Sequence, residues 1–151
     1  VDSVPYDAFA PNPVTRDGKT LMPPPKGSIA RGQQVLHYGP GPDEAARAGR
    51  ELSNPVPRSE AALARGGDVY ASMCSHCHGP GGLGDGKVIP AFPTPPSLLA
   101  EHAKALPDGH LFHVISRGQG VMPAHAAQVQ PEDRWKVIHY LRSLQAPREG
   151  T

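Results

Sequence analysis

The chain has 151 residues, room for one domain and an extension. Gly (17) and Pro (19) fill nearly a quarter of it, against three Phe, four Tyr and one Trp. That composition implies either partial disorder or a core completed by something other than protein. A net charge of +1 excludes a basic field for nucleic acid. No apolar run approaches the ~18 residues that span a bilayer, and Val1–Pro11 has neither the basic start nor the apolar stretch of a signal peptide.

Residues 1–58 hold ten prolines and six glycines, including Pro23-Pro24-Pro25 and Gly39-Pro40-Gly41-Pro42. Consecutive prolines favour extended polyproline II and forbid helix. One short helix is predicted from Asp43 to Leu52, capped by Asp43, rich in Ala and supported by an Asp43–Arg47 pair at i,i+4. Asn54-Pro55-Val56-Pro57 stops it. Val4, Tyr6, Phe9, Leu21, Met22, Ile29, Val35, Leu36 and Tyr38 are more apolar side chains than a solvated linker needs. Residues 1–58 therefore read as a strap for a partner surface. Residues 59–151 read as the domain that folds without it.

Ser59 caps a helix predicted to run to Met73, with Leu63, Gly66, Gly67, Val69, Tyr70 and Met73 on one small, apolar face. Two glycines inside a helix cost about 1 kcal/mol each relative to Ala, which suggests close approach by another helix. Residues 79–96, Gly-rich and then Pro-rich, form a loop. Ser97 caps a short helix over Leu98–Ala105, and another starts at Pro107-Asp108-Gly109 and ends at Gly118 and Gly120. Pro131, with Glu132 and Asp133 behind it, begins the last helix, whose buried face carries Trp135, Val137, Ile138, Leu141 and Leu144. No repeat is visible and no segment alternates like a strand, so the predicted class is all-α.

Both cysteines lie in Cys74-Ser75-His76-Cys77-His78. A disulfide across two residues would staple nothing. A thioredoxin-like motif wants a strand before it and a helix after it, whereas here a helix leads in and Gly79-Pro80-Gly81-Gly82 follows. Zinc would need two further good ligands, and there is no second Cys pair. The remaining reading is C-x-x-C-H, covalent attachment of a c-type haem. Cys74 and Cys77 each add to one vinyl group, and the adjacent His78 supplies the proximal imidazole.

A six-coordinate electron carrier needs a second strong ligand on the far face. Met73 precedes Cys74 on the proximal side, and Met22 lies in the extension. Met122, in Gly118-Gln119-Gly120-Val121-Met122-Pro123, sits between two helices and can be held rigidly, so it is the predicted distal ligand. His125 is the nearest rival, then His113 and His110, which are expected to face solvent or a propionate. A His/Met pair raises the reduction potential relative to a pair of imidazoles.

With Cys74-x-x-Cys77-His78 after a helix, Gly66 and Tyr70 eight and four residues before the first Cys, and a last helix with Tyr140-Leu141, residues 59–151 resemble a class I cytochrome c. The resemblance implies that the first and last helices of the domain cross at Gly66 against Tyr140, with Val137 and Leu141 nearby. It also implies that a carbonyl near Pro90, Pro93 or Pro95 accepts from the proximal imidazole. A closer resemblance is to the monohaem cytochrome c subunit of bacterial alternative complex III, a membrane-bound quinol-oxidising complex. It rests on Ile29-Ala30-Arg31-Gly32, Asn54-Pro55-Val56-Pro57, Ala64-Arg65-Gly66, Gly84-Asp85-Gly86, Pro107-Asp108-Gly109-His110-Leu111-Phe112, Gly120-Val121-Met122-Pro123 and Pro131-Glu132-Asp133-Arg134-Trp135. It implies a periplasmic, membrane-associated subunit beside a multihaem cytochrome c, passing electrons toward a terminal oxidase. Attachment would be through a lipidated Cys preceding Val1 or through protein contact.

Between Cys74 and Ala126, Lys87, Lys104 and Arg117 balance Asp85, Glu101 and Asp108. A diffusing carrier usually shows a one-signed ring that steers encounter. The expected function is therefore electron transfer by a resident subunit that does no bond chemistry itself. The competing readings are a haem enzyme or gas sensor with an open axial position, a free periplasmic shuttle, and a zinc module built on Cys74, Cys77 and two His.

Overall fold

A computed structural model of the chain describes residues 5–29, 31, 35–89 and 91–147. It divides into two compact units, Val1–Val35 and Leu36–Thr151. Among the described residues the regular elements are all helical, and none is long and apolar enough to cross a membrane.

In the first unit, residues 10–20 close on themselves. Asn12 N donates to Gly18 O at 2.9 Å, and the Thr20 hydroxyl donates to Ala10 O at 2.7 Å. Tyr6, Phe9, Val14, Leu21, Met22 and Ile29 are all exposed.

The second unit begins at Leu36 rather than at Ser59. Helix α1 spans Pro42–Glu51, with Pro42 in its first turn and Gly41 before it at φ 111°. Asp43 does not cap it, and Arg47 pairs with Glu44 (2.8 Å) and Glu51 (3.1 Å) instead of with Asp43. The buried Ala45 and Ala48 face helix α5, Asp108–Arg117. There a Cβ on Gly109 would overlap the carbonyl of Ala48, so the absence of a side chain sets the approach. Side chains of α5 also reach this segment. Arg117 donates to Leu36 O (2.8 Å) and Tyr38 O (3.0 Å), and His113 Nε2 lies 2.7 Å from Gly39 O.

Helix α2, Glu60–Val69, starts at Ser59, whose hydroxyl accepts from Ala62 N at 3.1 Å. It widens into a π turn over Tyr70–Cys74 and resumes as α3, Ser75–His78. The short α4 covers only Glu101–Lys104. The expected start at Leu98 is lost because Ala100 is extended (ψ 150°); residues 97–100 form a separate turn, with Ala100 N donating to Ser97 O (3.2 Å) and Leu98 N donating to Gly82 O (2.7 Å). The last helix, α6, runs Pro131–Gln145.

Helices α2 and α6 cross at Gly66, where a Cβ would overlap the carbonyl of Lys136 and touch Tyr140 Cβ. The Tyr70 and Tyr140 rings meet nearby at 5.3 Å. On one side of α6, Trp135, Ile138 and Leu141 pack with Leu111 and Phe112, and the Phe112 and Trp135 rings stack at 4.1 Å. On the other, Val137 packs with Val69, Tyr70 and Val129. Asn54 Nδ2 donates to Trp135 O (3.1 Å) and His139 Nε2 lies 2.7 Å from Val56 O, which ties the Pro-rich stretch before α2 to this helix.

Candidate haem site

The π turn delivers Cys74 to the start of α3, and such turns recur at functional sites. Cys77 is exposed. Cys74 is mostly covered, and burial, followed by the nearby Cys77, pushes its thiol up to about 11. Both thiols are free.

The end of α3 is held by backbone alone. The carbonyls of His76, Cys77 and His78 have no further turn to bond to. They accept from Val88 N (3.1 Å), Gly86 N (3.1 Å) and Gly84 N (2.9 Å). A Cβ on Gly86 would overlap the carbonyls of His76 and Cys77, so this glycine lies directly on the motif, whereas a Cβ on Gly84 would overlap Pro95 O. The Tyr70 hydroxyl, buried beneath, donates to Gly79 O at 2.8 Å. Burial, with smaller contributions from Cys74, Tyr140 and Asp85, pushes that phenol up to about 12, so it remains a donor at any ordinary pH.

His78 is half-buried, and its Nδ1 is buried without a hydrogen-bond partner. Burial lowers its pKa, and the charge of His125 lowers it further, which favours the neutral imidazole that can ligate. The carbonyls near Pro93 and Pro95 do not accept from it, and Pro90 lies outside the described residues.

Residues 118–130 join α5 to α6. Gln119 and Met122 exchange two backbone hydrogen bonds of 3.0 Å, and His125 N donates to Ile115 O at 2.9 Å. Gly118 turns the chain at φ 76°, where a Cβ would overlap Met122 O. Met122 is half-buried in this clamped turn. His125, three residues on, stands within electrostatic reach of His78, and its own Nδ1 is buried without a partner. Met73 packs with Val69, Tyr70 and Val137, and Met22 is exposed in the first unit. His113 does not face solvent as expected: it is buried against Gly39. His110 lies where α5 meets Gly49 of α1.

Two free thiols on one turn, an adjacent half-buried imidazole with a buried, unused nitrogen and a clamped Met/His loop fit a covalently held haem. Among the described residues no three His, Cys, Asp or Glu side chains stand together as a metal site, which leaves zinc without a donor set. Residues 61–141, more than half of the chain, match the family model described as cytochrome c oxidase, cbb3-type, subunit III. The chain belongs to that family. This cytochrome c carries a covalently bound haem c, has the class I fold and transfers electrons through the haem.

Among solved structures, the cytochrome is similar to a Kuenenia stuttgartiensis reducing HAO-like protein complex. The identity is 23%, over 62% of this chain and 49% of that one, with a TM-score of 0.50. It is also similar to cytochrome cL from Hyphomicrobium denitrificans (28% identity, 54% of this chain, 46% of that one, TM-score 0.44). A third is cytochrome cL from Methylophaga aminisulfidivorans (19% identity, 77% and 71%, TM-score 0.49). The chain spans about half the length of the first two. No curated protein matches it significantly.

One residue at the site escapes the sequence reading. Arg134 is buried on the apolar face of α6 and bonds to the end of the Met122 segment. Its signal was positional: Arg134, Val137, Ile138 and Leu141 fall at i, i+3, i+4 and i+7, so a charged side chain occupies a core register.

Proposed function

We propose that Cys74 and Cys77 form the two thioethers, that His78 and Met122 are the axial ligands, and that the protein is a resident electron-transfer subunit. When bound, the haem supplies a one-electron Fe(III)/Fe(II) couple. The chain's own residues hold a neutral imidazole at His78 and keep Met122 in a turn held by backbone bonds on both sides. The clamped turn around Met122 is the observation that carries the ligand assignment. It presents a neutral thioether with little freedom to leave.

The host we propose is a quinol-oxidising respiratory complex on the periplasmic side of a bacterial membrane. A multihaem cytochrome would be the donor and a terminal oxidase the eventual acceptor. Support comes from the balanced charge around the motif and from the exposed apolar side chains of the first unit, which suit permanent contact. In this reading the protein catalyses no bond change. Purification from membranes with identification of co-purifying chains tests it. A complex containing a multihaem cytochrome is the expected result, and a monomer in the soluble fraction would count against it.

A second distal ligand is favoured by a specific observation: the unpartnered, buried Nδ1 of His125 beside His78. Met122→Ala decides between them. It is expected to abolish the weak Fe(III)–sulfur absorption band and open the iron to carbon monoxide. An unchanged band would assign the position away from Met122.

A further inference from the structure

Residues 118–130 are anchored in two different ways. Their first half is held by backbone hydrogen bonds, the Gln119–Met122 pair and His125 N to Ile115 O. Their second half has local backbone bonds from Gln128 N and Val129 N to His125 O and buries Val129 against Val69, Tyr70 and Val137; it is also tied to its surroundings by one side chain reaching back from α6. Arg134 Nε donates to Val129 O (2.9 Å), Nη2 to Ala126 O (3.2 Å) and Nη1 to the Ser116 hydroxyl (2.8 Å). That hydroxyl in turn donates to Phe112 O at 2.7 Å. One guanidinium thus joins the end of α5, the connecting segment and the first turns of α6.

Arg134 is 7% exposed and Ser116 2%, and among the described residues no carboxylate pairs with Arg134. The Phe112 ring lies 5.4 Å from the guanidinium and gives partial compensation. Burying an unpaired cation is costly, and an apolar residue would suit the face shared with Val137 and Ile138 better. The stacked Phe112–Trp135 core nearby already joins α5 to α6. What the cation adds is the three-way tie to the segment that carries Met122. A planar fork reaches three acceptors lying in different directions, which a Lys ammonium on a flexible stem does not reproduce.

We propose that Arg134 is a positioning residue for the distal ligand: it keeps residues 118–130 closed so that Met122 stays at the iron. This rests on the reading of Met122 as that ligand. If the tie is loosened, a larger fraction of molecules has the distal position open. An external ligand then binds with an apparent affinity raised in proportion to that fraction.

Imidazole titration of the ferric holoprotein, read together with the Fe(III)–sulfur band, tests the proposal. Arg134→Lys is expected to tighten apparent imidazole binding at least tenfold and to weaken the band. Ser116→Ala, which removes one of the three acceptors, is expected to shift both in the same direction by about two- to threefold, and serves if the lysine variant does not fold. Ile138→Val loosens the same helix without touching the segment. It is expected to lower the melting temperature and leave imidazole affinity unchanged. Native imidazole binding in both Arg134→Lys and Ser116→Ala, or an equal shift in Ile138→Val, would overturn the proposal. Met122→Ala separates the two layers. Loss of the band there upholds the ligand reading, so the other variants judge Arg134 alone. Survival of the band removes the ligand reading and the proposal with it.

Discussion

In the first thirty-five residues Phe9 is 90% exposed and Val14 85%, and the hydrogen bonds closing residues 10–20 are all local. In residues 36–58, where proline is about as frequent, Tyr38, Ala45 and Ala48 are buried. There the carbonyls of Leu36, Tyr38, Gly39 and Val56 each meet a side chain of α5 or α6. The two stretches look alike in composition, and only one is part of the haem domain's unit. Proline removes a donor and leaves the acceptor. A Pro/Gly-rich segment can therefore be fixed from outside, by Arg117, His113 and His139 donating to carbonyls that have no helix or sheet partner.

Deletion breaks this comparison most directly. A chain lacking residues 1–35 is expected to keep the absorption spectrum and melting temperature of the full protein. A chain lacking residues 1–58 is expected to lose most of its holoprotein, because His113 would lose its Gly39 partner and the Leu111–Phe112–Trp135 cluster would lose Leu36, Leu52 and Val56, which pack against it. Yield of covalent haem and thermal melting read both. Equal behaviour of the two chains would place the boundary at Ser59 after all.

The next effect is smaller and local. Gly109 lets α1 lie against α5, with the carbonyls of Ala48 and Leu52 where a side chain would begin. These are backbone atoms and cannot turn away. Gly109→Val is expected to destabilise by about 1–3 kcal/mol or more through overpacking. Chemical denaturation of the holoprotein measures it, and a change below ~0.5 kcal/mol would mean that α1 shifts freely and contributes little.

Asn54 probes the same segment at its other end. Its amide donates to Trp135 O, and its Oδ1 accepts from Val56 N at 3.0 Å, which shapes the turn between α1 and α2. Asn54→Ala is expected to cost about 0.5–1.5 kcal/mol, the usual net worth of such bonds. Asn54→Asp keeps the acceptor and loses the donor, so a loss close to that of the alanine variant would assign most of the effect to the bond with Trp135.

Much of the site and the helical core was legible because its signals are local. The Ser59 cap, the glycine of the α2–α6 crossing, the C-x-x-C-H spacing and the Pro131 start each reside within a few residues. The assignment of residues 36–58 was not, because its determinants are donors 70 or more residues away, such as His113 to Gly39 and Arg117 to Leu36. Leu98 shows the same limit in miniature. Its sequence favours helix, yet Ala100 is extended and Leu98 sits in a turn, its N–H bonded to Gly82 O in a loop that composition cannot place. Arg134 stood in plain view within a helical pattern, and only its burial gave it meaning.

The smallest expected effect on stability sharpens the comparison from the other side. Phe9 and Val14 bury almost nothing, so Phe9→Asp together with Val14→Asp should leave the melting temperature of the haem domain unchanged. The same pair adds two negative charges to an apolar surface that, in the proposed function, stays in contact with a partner. Charge in the core of such a contact is disfavoured because it must be desolvated without a partner. The double variant is therefore expected to retain haem, spectrum and melting behaviour while its recovery with the membrane complex falls at least tenfold. A drop in melting temperature would show that these side chains stabilise the folded chain itself. Full recovery with the complex would show that the haem domain docks without them.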